Sequence, residues 1–397
     1  MDSTLIESEL PHSSTANAVS AEMVFEICEA GTTGPAAAAW KEIEQRLDSV
    51  PLACSWIWTQ TWIECYKHLV DCHIVIGRVG DVVGGICLLS AAQQPLAGPL
   101  RINTLSLGTA GEPNRDSVYV EYNAILTIPE HRRAFEVGLL QILESQPGWD
   151  ELHIDGFSPT DLPCGVTSDS GFKFRTEESP FYDFNLARQA GSDALTQLSY
   201  TARKGIRKNL RSYGTLTTQW AETTSQATEI LDDLIRLHQA RWEAVGEPGV
   251  FASQPFLRFH RSLLERLRIG RDVGLFRLLA DDQTVGCAHM FIDRNRVLYY
   301  QGGTIPLGGN LSPGVITDYM CIEECLRRGF DSYDFLGHTS QHKRKLSTST
   351  AELVWAVRRR PSLKFAVMDA VRSLRAHWRR VLQRSPSPTA ADSGQHK

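Results

Sequence analysis

One plan is written twice along this chain, and a duplicated plan restricts the fold more than composition can. The run from His73 to Leu89 reads as two strands joined by a tight turn. Val273 to Phe291 has the same shape, with its turn at Asp281-Asp282. Further on, Gly148-Trp149-Asp150 is followed by Gly156, and Gly329-Phe330-Asp331 by Gly337 at the same spacing. Each of these segments leaves a helix and enters a strand, Leu152 to Ile154 and Tyr333 to Leu336. Two matches in one order point to a duplicated α/β unit. The division is placed near residue 190, in Ala190-Gly191-Ser192. Units are expected over 23–190 and 191–357, each a mixed twisted sheet flanked by helices (an α/β, or α+β, class). Helices are expected at Ala36 to Leu47, Trp56 to His68, Glu229 to Val245 and Pro255 to Leu267. In the third, Leu231, Leu234, Ile235, His238, Trp242 and Val245 share one stripe.

With 397 residues, 42% of them hydrophobic and 22% charged, the chain can build two ordinary cores. No window approaches ~20 uninterrupted apolar residues, so no membrane-spanning helix is expected. Residues 1–22 are Ser-rich and acidic without a basic start and apolar run, which reads as a disordered tail and not a secretory signal. Nine cysteines lack Cys-x-x-Cys or His-paired spacing, which argues for free thiols in the cytoplasm and against a metal site. The net charge of −5 hides an asymmetry, because ten Lys/Arg and only two Asp follow residue 357. Leu363, Val367, Leu374, Trp378 and Val381 sit among those arginines, so 358–384 reads as a basic amphipathic helix. Such a helix packs on the body or lies against the inner face of an anionic membrane. Pro386 and Pro388 mark a disordered end at 385–397.

The second unit carries a strand, a glycine-rich loop and a capped helix in succession. Val297 to Gln301 is the strand, Gly308, Gly309 and Asn310 lie in the loop, and Ser312-Pro313-Gly314 opens the helix. Ser312 suits an N-cap and Pro313 the first helical position. With no side-chain bulk at Gly314, an anion can meet the free amides of Gly314 and Val315 at the positive helix end. A capped helix following a loop is the plain alternative. Upstream, Arg203, Arg207 and Arg211 form one stripe in a stretch with five cations and no acid, either a solvated face or a phosphate contact. Arg241-Trp242 offers an anionic acceptor a second cation. No nucleophile elbow, Walker loop or zinc helix motif is present, so hydrolase, NTPase and zincin readings lack support.

Several of these pieces, in order, resemble the CelD-like acetyltransferase branch of the GNAT superfamily, related to Fem peptidyltransferases built from two GNAT-like units. They are Leu198-Ser199, Arg203-Lys204, Arg207 to Arg211, Leu237 to Trp242, Tyr299-Tyr300, Leu311 to Gly314, Tyr333 to Gly337 and His342 to Lys345. The family's usual tyrosine before the lysine at Lys343 is here His342, which leaves the role of that hydroxyl open. The resemblance implies acyl transfer from acetyl-CoA or another acyl-CoA to an amine, without a metal. It implies a cell-envelope or polysaccharide-biosynthesis precursor as acceptor, and Cys287 to Ile292 and Val297 to Gln301, or their continuation, as the strands that splay around the thioester arm. A Fem-like transfer from aminoacyl-tRNA and a non-catalytic membrane-recruited scaffold are the rivals; no DNA partner is expected.

Candidate bases are His289, within an apolar strand; Asp334, costly to bury unless paired, with Lys343 and Arg344 at hand; and His338, just past a strand end. Tyr319 is the candidate acid for the leaving thiolate, and Lys343 and Arg207 join Arg241 and Trp242 as substrate contacts. For His289, Asp334 and Tyr319, plain core roles remain alternatives.

Overall fold

The computed structural model describes residues 22–97, 100–306 and 312–368. In the first half the elements are β1 (Val24–Glu29), α1 (Pro35–Arg46), α2 (Trp56–Tyr66), β2 (Asp71–Val79), β3 (Val82–Ala97), β4 (Leu100–Leu107), β5 (Leu126–Thr127), α3 (Arg132–Ser145), β6 (Glu151–Phe157) and β7 (Phe172–Asp183). A short α4 (Phe184–Gln189) leads into the second half. There α5 (Tyr200–Ser212), β8 (Leu216–Trp220), α6 (Thr224–Glu243), α7 (Gln254–Arg266), β9 (Val273–Ala280), β10 (Gln283–Asp293), β11 (Arg296–Thr304), α8 (Pro313–Arg328), β12 (Ser332–Asp334), α9 (Gln341–Leu346) and β13 (Ser349–Arg359) follow. The two strand–turn–strand segments are β2–β3 and β9–β10. Asp281 and Asp282 both take positive φ, 47° and 63°, as a tight two-residue hairpin turn requires. Gly329 ends α8 in the left-handed conformation at φ 86°, and Gly148 takes φ 92° ahead of β6.

The strands form one sheet in the order β1-β2-β3-β4-β6-β13-β7-β12-β11-β10-β9-β8, with β5 beside β3. Among the described strands, β4–β6 and β11–β12 are the parallel pairs, one in each half, and each is bridged by a crossover helix, α3 or α8. The expected division near residue 190 falls between α4 and α5, but the hydrogen bonding does not respect it. β13, from the second half, inserts between β6 and β7 of the first half. β7 in turn reaches across to pair its last residues with β12. Each half therefore lends a strand to the other.

Strand alternation sorts the core. On β10, Cys287 and Phe291 face α6, α7 and the helices of the first half, whereas Ala288, Met290 and Ile292 face α5 and α8. The first of these cores is shared, since Trp58 of α2 packs edge-on against Phe259 of α7 at 5.1 Å and Phe291 at 5.0 Å. The stripe expected on α6 is buried at Leu231, Leu234 and His238 only. Trp242 is partly exposed, and Val245 lies beyond the helix end, in water.

The basic helix expected from residue 358 is described only in its first turn, 363–368. That turn docks through Phe365 and Met368 against Ile102, while Leu363 and Val367, expected on the apolar face, are exposed. Lys364 also ties it to Asp150 at 2.7 Å. The rest of that helix and the tails at 1–21 and 385–397 lie outside the described residues.

Candidate functional site

β12 is three residues long, and this opens the site. It pairs with β11 at Arg296–Ser332, Val297–Tyr333 and Leu298–Asp334, then ends, while β11 continues to Thr304. Beyond it Tyr299–Gln301 and Phe335–Gly337 no longer pair as strands, and these two segments are the walls of the candidate slot. The splaying strands expected from the sequence were β10 and β11, but those two are antiparallel neighbours across the turn Arg294-Asn295. A two-residue turn can join only antiparallel strands; the parallel pair needs the α8 crossover.

The first half has the matching divergence, β4 from β6 beyond Ser106–His153. There the side chain of Asn123 lies in the gap, donating to the carbonyls of Leu107 at 3.0 Å and Asp155 at 3.3 Å. Two residues earlier the same segment serves the second slot: Oε2 of Glu121 accepts the Gly337 N–H at 2.8 Å. The segment is held at Val118 from both sides. Its N–H donates to the buried Glu112 carboxyl at 2.8 Å, and its carbonyl accepts from the Tyr300 hydroxyl. Tyr119 and Tyr122, with φ of 40° and 60°, turn the backbone so that Glu121 faces the slot. Burial pushes the carboxyls of Glu112 and Glu121 each up to about 7, against the hydrogen bonds from Val118 and Gly337.

Around Glu121 lies a cavity of about 30 Å³, lined by Tyr119, Tyr122, Leu298, Tyr300 and Leu336. Wider surface grooves, about 590 Å³ beside β2–β4 and about 870 Å³ beside the β10–β11 turn, lie off this slot. The convergent polar groups, not the volume, single out the small one.

Asp334 is fully buried, but its partners are not the expected Lys343 and Arg344. It accepts from Tyr122 at 2.5 Å, Ser179 at 2.7 Å and the Leu336 N–H at 2.8 Å, with Arg296 at 3.9 Å. Burial raises its pKa against those donors. Asp334 therefore braces β7, β12 and the Glu121 segment together. Arg344 pairs with Glu178, and Lys343 donates to the carbonyls of Leu336 and Gly337 on the slot wall. Burial lowers the Lys343 pKa, although Glu121 and Asp334 work the other way. His338 is largely exposed beside Glu177; partial burial, then Lys343 and Arg175, lower its pKa.

His289 sits on the Tyr300 side of the sheet, in a sealed cluster with His260, Phe291 and Tyr300. Burial holds its pKa down at about 3, so the ring is neutral but a weak base. Its Nδ1 and both nitrogens of His260 lack partners among the described residues. The expected role as base therefore does not fit its position. Unpaired buried imidazoles cost stability, so His260→Leu is expected to stabilise the protein by about 1–2 kcal/mol at pH 8. Burial depresses the folded pKa of His260. Its unfolded form takes up protons below about 6.5, so wild-type stability falls as pH drops through that value. The gain should grow by about 2 kcal/mol at pH 5, as chemical denaturation at both pH values would read. Tyr319 is likewise displaced from its expected role: it packs in the α5–α8 core and donates to Glu323, one turn further along its own helix, at 2.6 Å.

At the start of α8, Ser312 makes no side-chain cap, contrary to the sequence expectation. Its backbone φ of −122° and ψ of 81° differ from ordinary cap geometry, and its N–H donates to Asn209 of α5 at 2.8 Å. Pro313 is buried and Gly314 half-buried; a Cβ on Gly314 would meet nothing nearer than His342 at 3.7 Å. His342 closes on Asp318 of the same helix at 2.5 Å. Burial opposes charge on His342, yet Asp318 holds its pKa above the ordinary value. Gly308, Gly309 and Asn310 lie outside the described residues; Val315 is half-buried in the first turn. Arg241 stands at the exposed end of α6, whereas Trp242 donates to His238 at 2.9 Å. Arg207 points to solvent on α5, which packs against α8.

Residues 199–344 match the family model described as an acetyltransferase (GNAT) domain. The chain carries a GNAT domain. No curated protein is similar to it in sequence. The solved structure of FemX is similar at a TM-score of 0.51 and 12% identity, over 83% of this chain and 96% of that one. The C-terminal domain of a putative lysylphosphatidylglycerol synthetase from Agrobacterium fabrum gives 0.48 at 13% identity, over 85% and 96%. A tandem GNAT protein from the clavulanic acid biosynthesis pathway gives 0.44 at 11%, over 85% and 100%. At such identities the FemX likeness speaks for the fold alone. The GNAT domain is an N-acyltransferase scaffold, and no group of His, Cys, Asp or Glu among the described residues could hold a metal ion.

Proposed function

We propose that the protein transfers an acyl group from an acyl-CoA to an amine in the β11–β12 slot. The observation that carries this reading is a parallel strand pair whose ladder ends after Leu298–Asp334, with α8, the helix that crosses over between the two strands, packed on β11. The slot offers an extended thioester arm two backbone walls. Ser312 makes no side-chain cap on the α8 amides, and a Cβ on Gly314 would meet only His342, at 3.7 Å, which suits a pyrophosphate. Gly314 and Val315 through their amides, and Ser312 through its hydroxyl, would hold that group. Arg241 adds a cation with no carboxylate partner among the described residues.

The amine must attack as a free base. An unperturbed lysine-like amine is only about 0.04% neutral at pH 7, a cost of ~4.6 kcal/mol. Holding amine and thioester together offsets up to ~7–11 kcal/mol of the barrier. The resemblance to CelD-like transferases supports a cell-envelope or exopolysaccharide precursor as acceptor.

A second reading has its own observation. The cations of α5, Arg203, Lys204, Arg207, Lys208 and Arg211, pair with no carboxylate among the described residues, and α5 is tied to α8 through Asn209. Such a strip suits an RNA backbone, as a Fem-like aminoacyl-tRNA donor would present.

Calorimetry separates the two. Micromolar acetyl-CoA binding, weakened at least about tenfold by Gly314→Trp with unchanged melting, is the expected result. Salt-sensitive tRNA binding with no affinity for acetyl-CoA would replace the first reading by the second.

A further inference from the structure

We infer that Glu121, carried by the first unit, is the general base for the reaction in the second unit's slot. This rests on the acyl-transfer reading above. Four acidic side chains gather at this end of β12, and three are committed. Both Asp334 oxygens accept hydrogen bonds, from Tyr122, Ser179 and the Leu336 amide, in a site closed to water. Glu177 is paired with Arg175 and accepts from the His338 N–H at 3.2 Å. Glu178 is outside, paired with Arg344. Glu121 gives Oε2 to the Gly337 amide and leaves Oε1 with no hydrogen-bond partner among the described residues, beside the cavity. No cation forms an ion pair with it among the described residues. Arg296 bridges to Asp293 and stacks over Tyr122 at 3.6 Å, and the Lys343 ammonium is spent on two carbonyls.

The position also fits the chemistry. Gly337 lies on the slot wall, so a carboxylate fixed to its N–H stands beside a thioester arm and can reach the entering ammonium. Oε1 takes one proton from the ammonium. The freed nitrogen lone pair forms the C–N bond, the C–S bond breaks, and its electron pair leaves on sulfur. The second amine proton ends on the thiol, and Glu121 returns the first to water. A carboxyl raised to about 7 by burial, with Asp334 raising and Gly337 and Lys343 lowering it, is matched to this work near neutral pH. The charged or titratable groups facing it are Asp334, Glu177, Lys343, Arg296, His338, Tyr119, Tyr122 and Tyr300; of these only His338 ordinarily titrates near neutrality, and its pKa is lowered.

Glu121→Gln tests the assignment, because glutamine still accepts from Gly337 but cannot take the proton. In thiol-release assays with acetyl-CoA and a panel of amino sugars and amino acids, kcat is expected to fall about 10²–10⁴-fold. The rise of kcat through pH 7 should disappear, and acetyl-CoA affinity by calorimetry should stay within about twofold. Glu121→Ala should regain part of its rate with added formate, which guards against a variant that is merely misfolded. A wild-type rate and wild-type pH inflection in Glu121→Gln would remove Glu121 as base and leave the acyl-transfer reading standing. A wild-type protein that neither binds acetyl-CoA nor releases thiol would sink that reading first, and the base assignment with it.

Discussion

Cut at residue 190 and expressed apart, the two halves are expected to fail to fold, and to recover only when mixed. The reason is the strand exchange. Residues 1–190 alone would hold β6 and β7 with nothing between them, where β13 normally pairs with both. The gap is two strand spacings, about 9.6 Å, too wide for any direct ladder. Missing too are the buried side chains of Leu353, Val354 and Ala356. The two larger ones are each worth about 1.5–3 kcal/mol, before the unpaired backbone along two long strands is counted. That loss is comparable with the whole stability of an ordinary domain, about 5–15 kcal/mol. The second half would keep β13 but lose β7, its partner over Ser349–Arg358, and with it the antiparallel neighbour of β12. Circular dichroism and size-exclusion chromatography of each half and of the mixture would check this. A monomeric 1–190 fragment that melts cooperatively would show that β13 is dispensable to it.

The same exchange marks the limit of what the sequence discloses. Local signals were legible. Asp281-Asp282 and Gly329 announce their turns through conformations few other residues tolerate, and the α6 stripe announces a buried face as far as His238. Pairing over long separations was not. The alternating pattern of Ser349–Arg359 says strand, but period-two alternation carries no address for a partner some 180 residues earlier. Assigning the splay to β10 and β11 took adjacency in sequence for parallel pairing.

The site divides in the same way. Asp334 was legible as a carboxylate needing partners, yet Tyr122 and Ser179 lie 212 and 155 residues away and have no local signature. Glu121 was missed because it lies in a loop without periodicity. One signal was there to be used: in Ser117-Val118-Tyr119-Val120-Glu121-Tyr122 a lone acid stands among apolar and aromatic residues. Such a carboxylate is costly to cover unless something holds it. His289 misled by the converse argument, since a polar residue in an apolar strand can simply be an unpaired one.

The repeated glycines supply the sharpest test of how the two units meet. Gly156 and Gly337, each eight residues after its glycine partner, press on the same segment from opposite units. A Cβ on Gly156 would stand 2.2 Å from the Val120 carbonyl oxygen, and its φ of 73° is left-handed. A Cβ on Gly337 would stand 2.8 Å from Oε1 of Glu121 and 3.1 Å from Oε2 of Glu177. Alanine at 156 meets backbone, which cannot swing aside, and adds about 1–2 kcal/mol for the left-handed conformation. The expected cost is about 3 kcal/mol or more, with kcat reduced because Val120 carries Glu121 with it. Alanine at 337 meets side-chain ends, so its stability cost should stay nearer 1 kcal/mol while kcat falls at least tenfold, because the base is what must move. Denaturant unfolding and thiol-release kinetics on both variants would separate the two. If Gly156→Ala matched wild type in both, the segment between the units would not be packed as described, and the placement of Glu121 would fail with it.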